Sequence, residues 1–467
     1  MGAKIVINGS GISGLLCALL LCRKGEGSNV LVVDRNNEPG GLLRRFQYGE
    51  WGDFDYGMHN MLETGIADLD RLLLGLLPEE EWQLLEGDKR GLAGVYFNGR
   101  LQTHTPYIDL RSLSREDYRA CLADLFAHFD RQGFDNMAGI QTTAYEYAVN
   151  RFGELSAKKT IIPSIEKIHK RSAKELDFMA TLFTPMARLA FCDETLVREL
   201  TRSPALRSRI AWSDQRTLPH DRSSGRRAIY PVRYGMYRIV DAIVRRITEA
   251  GAQLCTGSEI IAVEKGGGRV QAVIIRCGDQ EKRIENVARL IWTANVPALG
   301  RCLGVDVTGL KHDRPLKTII VNMVVDRLPD TMGDLYYFFC YDQRFHTYRL
   351  TSFANYCRGA GRNGGYPIGM ELLMTEETAA MSDPAGIAVE EYERFGFSPD
   401  SRVLFAKAEC LESGFPMPTV NNIHNVRALR TRIREMALDN VQLVGVLAED
   451  NLFFQTDVLA DAYHKVI

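Results

Sequence analysis

No two of the ten cysteines form a Cys-x-x-Cys pair, which argues against a zinc ribbon and against a thioredoxin-type redox site. Their scatter from Cys17 to Cys410 is that of reduced thiols in a cytosolic protein. No apolar run reaches about 18 residues, the length a membrane span needs. The run Leu15 to Cys22 stops at Arg23 and Lys24 with no small-residue cleavage site after it, so a cytoplasmic chain is expected rather than a secreted one. A formal net charge of -2 leaves no global basic field to draw the chain to nucleic acid or anionic membrane. Metal-ligand spacing of His, Cys and Asp is missing, no P-loop lysine follows the early glycines, and no repeat or low-complexity stretch stands out. What remains is an ordinary globular composition, 45% hydrophobic and 25% charged over 467 residues, long enough for two domains.

"KIVINGSGISGLLCALLLC", residues 4 to 22, carries the strongest local signal. Gly9, Gly11 and Gly14 fit Gly-x-Gly-x-x-Gly, a weak pattern alone. Its context raises it: "AKIVIN" reads as a buried parallel strand, "ISGLLCALLLCRKG" as a helix closed by Gly25, and "NVLVVD" as a second strand ending in Asp34. In a dinucleotide fold the first glycine makes the tight turn, the second admits backbone to the pyrophosphate, and the third lets helix and strand pack closely. The helix N-terminus then offers its N–H groups to the phosphates. An acid at Asp34 is expected to accept both ribose hydroxyls and to repel a 2′-phosphate. The other reading is a turn that only softens the start of a buried helix.

Six and seven residues beyond Asp34 stand Gly40 and Gly41 in "DRNNEPGGLLRRF", where a glycine doublet would let a second loop pass close to a cofactor; Pro39-Gly40 alone would also satisfy a plain turn. With this doublet the stretch to Gly41 resembles the flavoprotein superfamily of amine oxidases, protoporphyrinogen oxidase, phytoene desaturases and UDP-galactopyranose mutase. The resemblance implies FAD as cofactor. Many members have Arg directly after the doublet, where this chain has Leu42; Arg44 or Arg45 is the candidate phosphate contact in its place.

Two more segments resemble pieces of the same FAD domain. From Tyr234 the chain reads as a helix, a strand near Ala252 to Thr256 and a hairpin around Gly266 to Gly268; the resemblance implies an adenine contact at Ile260 or Ile261. Near the C-terminus a strand reaches Gly445 and a helix starts near Thr456-Asp457, whose N–H groups could face the flavin ring or ribityl chain. Asp457 could equally be that helix's cap. Val446 stands where relatives often carry Arg or Asp. The fold class expected is α/β: a Rossmann-like FAD-binding domain with a parallel sheet and helices, plus an α+β substrate domain with a mixed sheet and a helical part. The FAD domain is expected to be discontinuous, residues 1–75 with 230–300 and 435–467. Residues 76–229 with 301–434 would build the substrate domain.

"FDYGMHNMLETG" resembles the Gly-x-His loop of the superfamily, above all of its mutase branch. Gly57 would let backbone approach the isoalloxazine, and His59 would contact its N5 edge or the substrate. An imidazole, with an ordinary pKa of about 6.5, can hold or move a proton near neutrality. In "HTYRL" Arg349 matches an arginine that in the mutase branch reaches a nucleotide-sugar diphosphate; an ion pair is the alternative. Arg222, Arg226, Arg227 and Arg233 read as an anion-binding rim or as a solvated loop. Three functions follow. One is a FAD-dependent oxidoreductase taking hydride from a C–N or C–C bond of a small molecule, such as an amine. Another is a redox-neutral mutase-like enzyme on a nucleotide sugar, and the third is a non-catalytic FAD-binding protein.

Overall fold

A computed structural model describes residues 4–85, 92–129, 142–222, 225–397, 400–411, 414, 416–450 and 452–467. The chain divides into two compact units. The first comprises Met1–Leu84, Ala228–His312 and His424–Ile467, the second Leu85–Arg227 and Asp313–Ile423.

The first unit is built on a five-stranded parallel sheet in the order Gln253–Cys255, Val30–Val33, Lys4–Asn8, Val287–Trp292, Val441–Leu443. Successive strands run outward from Lys4–Asn8 on one side and then resume on the other. The strand order therefore reverses between Lys4–Asn8 and Val287–Trp292, where open α/β sheets bind their ligands. Strands buried on both faces must be apolar throughout, and "VLVV" at 30–33 is fully buried. The helix Ile12–Arg23 is buried continuously from Gly14 to Leu21 because it packs on the sheet and against both the helix Tyr237–Glu249 and the helix Gln455–Val466. An antiparallel meander, Ser258–Gly266, Arg269–Cys277 and Gln280–Glu285, covers the sheet through a core that includes Val6, Val33, Val273, Leu290 and Trp292.

The second unit holds a seven-stranded mixed sheet, ordered Val403–Leu411, Lys317–Val325, Tyr366–Met374, Thr347–Ser352, Tyr337–Cys340, Ala93–Phe97, Arg100–Gln102. Its pairs are antiparallel except Tyr337–Cys340 beside Ala93–Phe97. Helices Arg115–His128, Ala144–Phe152, Glu154–Lys159 and Ile161–His169 share a core with this sheet, among them Leu125, Phe152, Ile165, Phe339 and Leu373. The α/β class, with a Rossmann-like parallel sheet and a mixed-sheet α+β part, is the architecture the sequence points to.

The compact units meet at 84/85, 227/228, 312/313 and 423/424. The strand Trp82–Leu85 joins Met61–Leu62 and Ala228–Pro231 in a small sheet, and the Trp82 indole donates to the Leu74 carbonyl at 2.7 Å. Those bonds keep residues 76–84 with the first unit. Leu303, Val426, Leu429 and Ile433 lie in the core beside Trp292, which carries 301–312 and 424–434 to the same side. Among the described residues, no helix is long and apolar enough to cross a membrane, and no group of three His, Cys, Asp or Glu could hold a metal ion.

Candidate functional site

The C-terminal ends of three parallel strands converge on one turn. Gly9 follows the strand Lys4–Asn8 with φ +105°, a value side chains rarely adopt, and a Cβ there would run into the Thr293 hydroxyl. Thr293 directly follows the neighbouring strand and donates its hydroxyl to the Asn8 carbonyl at 2.9 Å, tying the two strand ends together. Gly14 lies inside the helix, where a Cβ would overlap the Gly9 carbonyl oxygen and stand 3.0 Å from its carbon. Its lack of a side chain is what lets helix and turn meet. Gly11 differs from both. It is the helix N-cap at φ -65°, it makes no side-chain cap, and a Cβ on it would meet nothing within 4 Å. The first-turn N–H groups of a helix have no intrahelical acceptors, so this end presents donors and positive potential to open space.

The doublet does not form a separate loop but is pressed against that turn. Gly40 donates its N–H to the Ser10 carbonyl at 2.8 Å, Gly11 and Gly40 form an isolated bridge, and a Cβ on Gly41 would lie 3.0 Å from the Gly11 Cα. Both glycines have positive φ, +116° and +58°. Of the two arginines beyond them, Arg45 stands 3.5 Å from Asp53 and 3.6 Å from Asp241. Arg44 is anchored by Nε to the Gly41 carbonyl at 2.9 Å, with its guanidinium 4.7 Å from the centre of the Tyr56 ring, on which Phe46 also stacks at 3.9 Å. Leu42 and Val446, the residues directly after Gly41 and Gly445, are 47% and 44% exposed.

Asp34 ends the second strand nearly buried. Its Oδ2 accepts the Ser10 N–H at 2.6 Å and the Ser10 hydroxyl at 2.7 Å, and its Oδ1 accepts the Asn36 N–H and side-chain amide, both at 2.8 Å. Ile261 is the unpaired extra residue of a β-bulge, because Ile260 pairs with Ile275 while Ala262 pairs with Ile274. A bulge re-aims the side chain at its site. Gly445 has φ +103°, and its Cβ would lie 3.5 Å from the Ser13 hydroxyl and 3.6 Å from the Thr293 carbonyl. The third strand end thus meets the first turn of the glycine helix. The C-terminal helix begins at Gln455 with Phe454 as N-cap and no side-chain cap. Thr456 and Asp457 are in its first turn, so Asp457 is a first-turn acid rather than the cap, a placement the helix dipole favours.

Gly57, φ +86°, and half-buried His59 lie in the loop between Asp53–Asp55 and Met61–Leu62. Asp55, an acid with no motif signal in the sequence, roots this loop. Asp55 is 1% exposed; its carboxylate accepts the Tyr230 hydroxyl at 2.6 Å and the Met236 N–H at 2.9 and 3.2 Å. Its own N–H donates to the Tyr234 hydroxyl at 3.0 Å, and the Tyr230 hydroxyl accepts from Gly235 N–H at 3.1 Å. A buried carboxylate therefore holds the loop against the start of the helix Tyr237–Glu249. Ser10 and Asn36 likewise carry no motif signal in the sequence, whereas Thr293 is marked as the first residue past a parallel strand.

In the second unit, Arg349 faces Glu371 across adjacent strands. Its Nε and Nη2 donate to Glu371 Oε1 at 3.0 and 2.6 Å, with the Tyr337 and Tyr348 rings each 5.9 Å from its guanidinium carbon. Burial opposes the guanidinium charge and the Glu371 carboxylate more than restores it, leaving the arginine above its ordinary pKa. Of the basic run, Arg233 pairs with Glu81 at 2.6 Å.

Residues 7–72 match the family model of an NAD(P)-binding Rossmann-like domain. No curated protein matches the chain by sequence. Among solved structures, the chain is similar to reduced UDP-galactopyranose mutase, with 17% identity, a TM-score of 0.75 and coverage of 100% of this chain and 93% of that one. It is also similar to a candidate protoporphyrinogen oxidase from Exiguobacterium sp. 255-15, with 14% identity, a TM-score of 0.69 and coverage of 100% and 98%. A putrescine oxidase variant with redesigned cofactor binding shows 12% identity, a TM-score of 0.60 and coverage of 99% and 98%. The chain therefore shares its fold with these solved structures. Within that fold, the glycine turn lies in the segment that matches the Rossmann-like family.

Proposed function

We propose that this chain is a FAD-dependent oxidoreductase that takes a hydride from a C–N or C–C bond of a small molecule. The observation that carries the reading is the contrast among the glycines: Gly9 and Gly14 are jammed against protein, whereas Gly11 opens an uncapped helix end to space. A dinucleotide pyrophosphate fits that cradle, because it needs backbone donors at close range and no side chain in the way. Gly9, Gly11, Gly14, Gly40 and Gly41 would shape the phosphate site, with Arg44 as its cation. Ile261 would lie against the adenine, and Gly445, Thr456 and Asp457 would meet the ribityl and ring end. Asp34 belongs to the site through the turn.

Bound FAD would supply an acceptor for the two electrons that leave the substrate as hydride. The chain's own part is to orient the substrate, exclude water and manage the proton that leaves the neighbouring heteroatom as hydride leaves carbon. His59 is the candidate for that proton, on a loop that Asp55 fixes at its root. The redox-neutral reading on a nucleotide sugar needs a cation for a diphosphate at Arg349. Glu371 already balances that charge, which favours the oxidation.

The test is the visible absorption spectrum of the purified protein, followed by denaturation and identification of any released cofactor. Released FAD is expected. A colourless protein that refuses FAD yet binds NAD overturns the proposal. Anaerobic bleaching of the flavin by an amine or other C–H donor then separates the oxidase reading from a mutase, whose turnover would require flavin reduced beforehand. His59→Ala is expected to slow that bleaching; a variant as fast as the parent removes His59 from the site.

A further inference from the structure

The strand Val403–Leu411 ends the mixed sheet of the second unit. It pairs antiparallel with Lys317–Val325 along one side, and among the described residues no strand pairs with its other side. The burial of the two strands reflects their places. Lys317–Val325 is buried from Thr318 onward, whereas Leu404, Lys407 and Cys410 are exposed and only Leu411 is buried. An edge strand directs a row of N–H and C=O groups outward, ready to pair with another strand, and a lysine commonly blunts such an edge. Lys407 would do so if it stood alone. Glu409 follows two residues later, on the same face.

The stretch around Ala408 complements itself in reverse. Ala408 is flanked by Lys407 and Glu409, then by Ala406 and Cys410, then by Phe405 and Leu411. Two such strands, antiparallel about a two-fold axis at Ala408, set each Lys407 opposite Glu409 of the second copy and each Phe405 opposite its Leu411. Opposite charges facing across two strands stabilise the pair, and like charges destabilise it. An axis at Lys407 or at Glu409 would oppose that charge to itself, and an axis at Ala406 would set the two charges against Phe405 and Val403. Only the axis at Ala408 pairs the lysine with the glutamate.

We propose that Val403–Leu411 is the surface through which two copies of this chain associate, each strand pairing with the other antiparallel about an axis at Ala408. A two-fold contact uses the same surface on both copies and closes at two. One strand pair is small beside the interface of a permanent dimer, so the association is weak and grows with concentration. The bulge at Leu404, where Val325 pairs with Val403 and Val324 with Phe405, bends the strand and ends the self-complementary stretch on that side. The proposal is independent of the FAD reading above.

Sedimentation velocity of the full chain across the micromolar range is expected to show monomer giving way to dimer and to nothing larger. Lys407→Glu should weaken the dimer by about tenfold or more, because both cross-strand charge pairs become repulsive. Adding Glu409→Lys to it reverses each pair and should bring the dimer back to within about threefold of the parent. A short thiol cross-linker tests the register, in a Cys277→Ser background that removes the exposed thiol of the first unit. Ala408→Cys chains should be joined, since their Cα atoms would lie about 5 Å apart across the axis. Without that change Cys410 stands about 14 Å from its copy and should stay unjoined. A chain that is monomeric throughout overturns the proposal, as does a dimer that Lys407→Glu leaves unchanged or that the double variant fails to restore. Joining through Cys410, failure to join Ala408→Cys chains where dimer is present, or species larger than a dimer each overturn it as well.

Discussion

Alanine at Gly11 and at Gly14 should have opposite consequences, although the two glycines belong to one motif. At Gly11 the backbone is extended and the new Cβ meets nothing within 4 Å. The cost to the fold is that of a poorer N-cap, about 0.5–1 kcal/mol. At Gly14 the Cβ would overlap the Gly9 carbonyl oxygen and lie 3.2 Å from the Thr293 hydroxyl, and the first of these is backbone that cannot swing away. Overpacking of that kind costs about 3 kcal/mol, offset by about 1 kcal/mol from alanine's better helix propensity. The net loss is about 2 kcal/mol, or a Tm lower by about 4–8 °C for a unit of about 150–250 residues. Cofactor content follows a different order. The Gly11 methyl would fill the space the proposed pyrophosphate needs and displace it from at least one N–H, a loss of about tenfold or more in affinity. Thermal unfolding of the stripped protein, followed by circular dichroism, and FAD bound per chain after purification are the two assays. Gly11→Ala should melt within about 4 °C of the parent and carry little FAD, whereas Gly14→Ala should melt lower. A Gly11→Ala protein that retains full FAD refutes the cradle, and a Gly14→Ala protein that melts with the parent refutes the packing argument.

Asp55→Asn should destabilise the first unit by about 2 kcal/mol, because the Tyr230 hydroxyl and Met236 N–H lose a charged acceptor; unchanged thermal unfolding would remove the network from the account. Glu371→Gln leaves the Arg349 guanidinium buried without its partner and should cost about 3 kcal/mol in urea unfolding, while Arg349→Met with Glu371→Leu should come within about 1 kcal/mol of the parent. A single variant as stable as the parent would show that the pair contributes nothing. Burial pushes the His169 imidazole down to about 4, against a weaker opposing contribution from the Ala180 backbone. Its neutral form is the folded one, so the stability it contributes is complete above about pH 6.5 and lost as pH falls toward 4, about 3 kcal/mol at 1.36 kcal/mol per unit. His169→Gln should flatten the urea midpoint across that window, and a midpoint that falls as steeply in the variant assigns the acid loss to other groups.

The glycine turn was legible because everything that defines it is local: a strand, a turn and a helix within residues 4 to 23. The parallel sheet followed from short apolar runs such as Val30–Val33. What could not be read was pairing across distance. Ser10 reaches Asp34 over 24 residues, and Tyr230 reaches Asp55 over 175. Arg349 meets Glu371 only because of the register between two antiparallel strands, and shifting that register by one residue would put the two side chains on opposite faces. The edges of the compact units depend on the same kind of pairing. Nothing in "EEEWQLL" announces that Trp82–Leu85 pairs with Ala228–Pro231.

The charges around the turn explain why its chemistry falls so heavily on backbone. Arg45 is balanced by Asp53 and Asp241, Arg44 is tied by Nε to the Gly41 carbonyl, and the positions directly after the two glycine loops, Leu42 and Val446, carry no charge at all. An anion at Gly11 would meet an uncapped helix end, worth about half a positive charge. Such a site depends on the direction of its peptides more than on the number of its cations. Peptide direction is set here by the Ser10–Asp34 contact, by the Gly9 turn against Thr293 and by the doublet pressed on Gly11. A change at any of these three places should therefore act on phosphate binding without touching a phosphate.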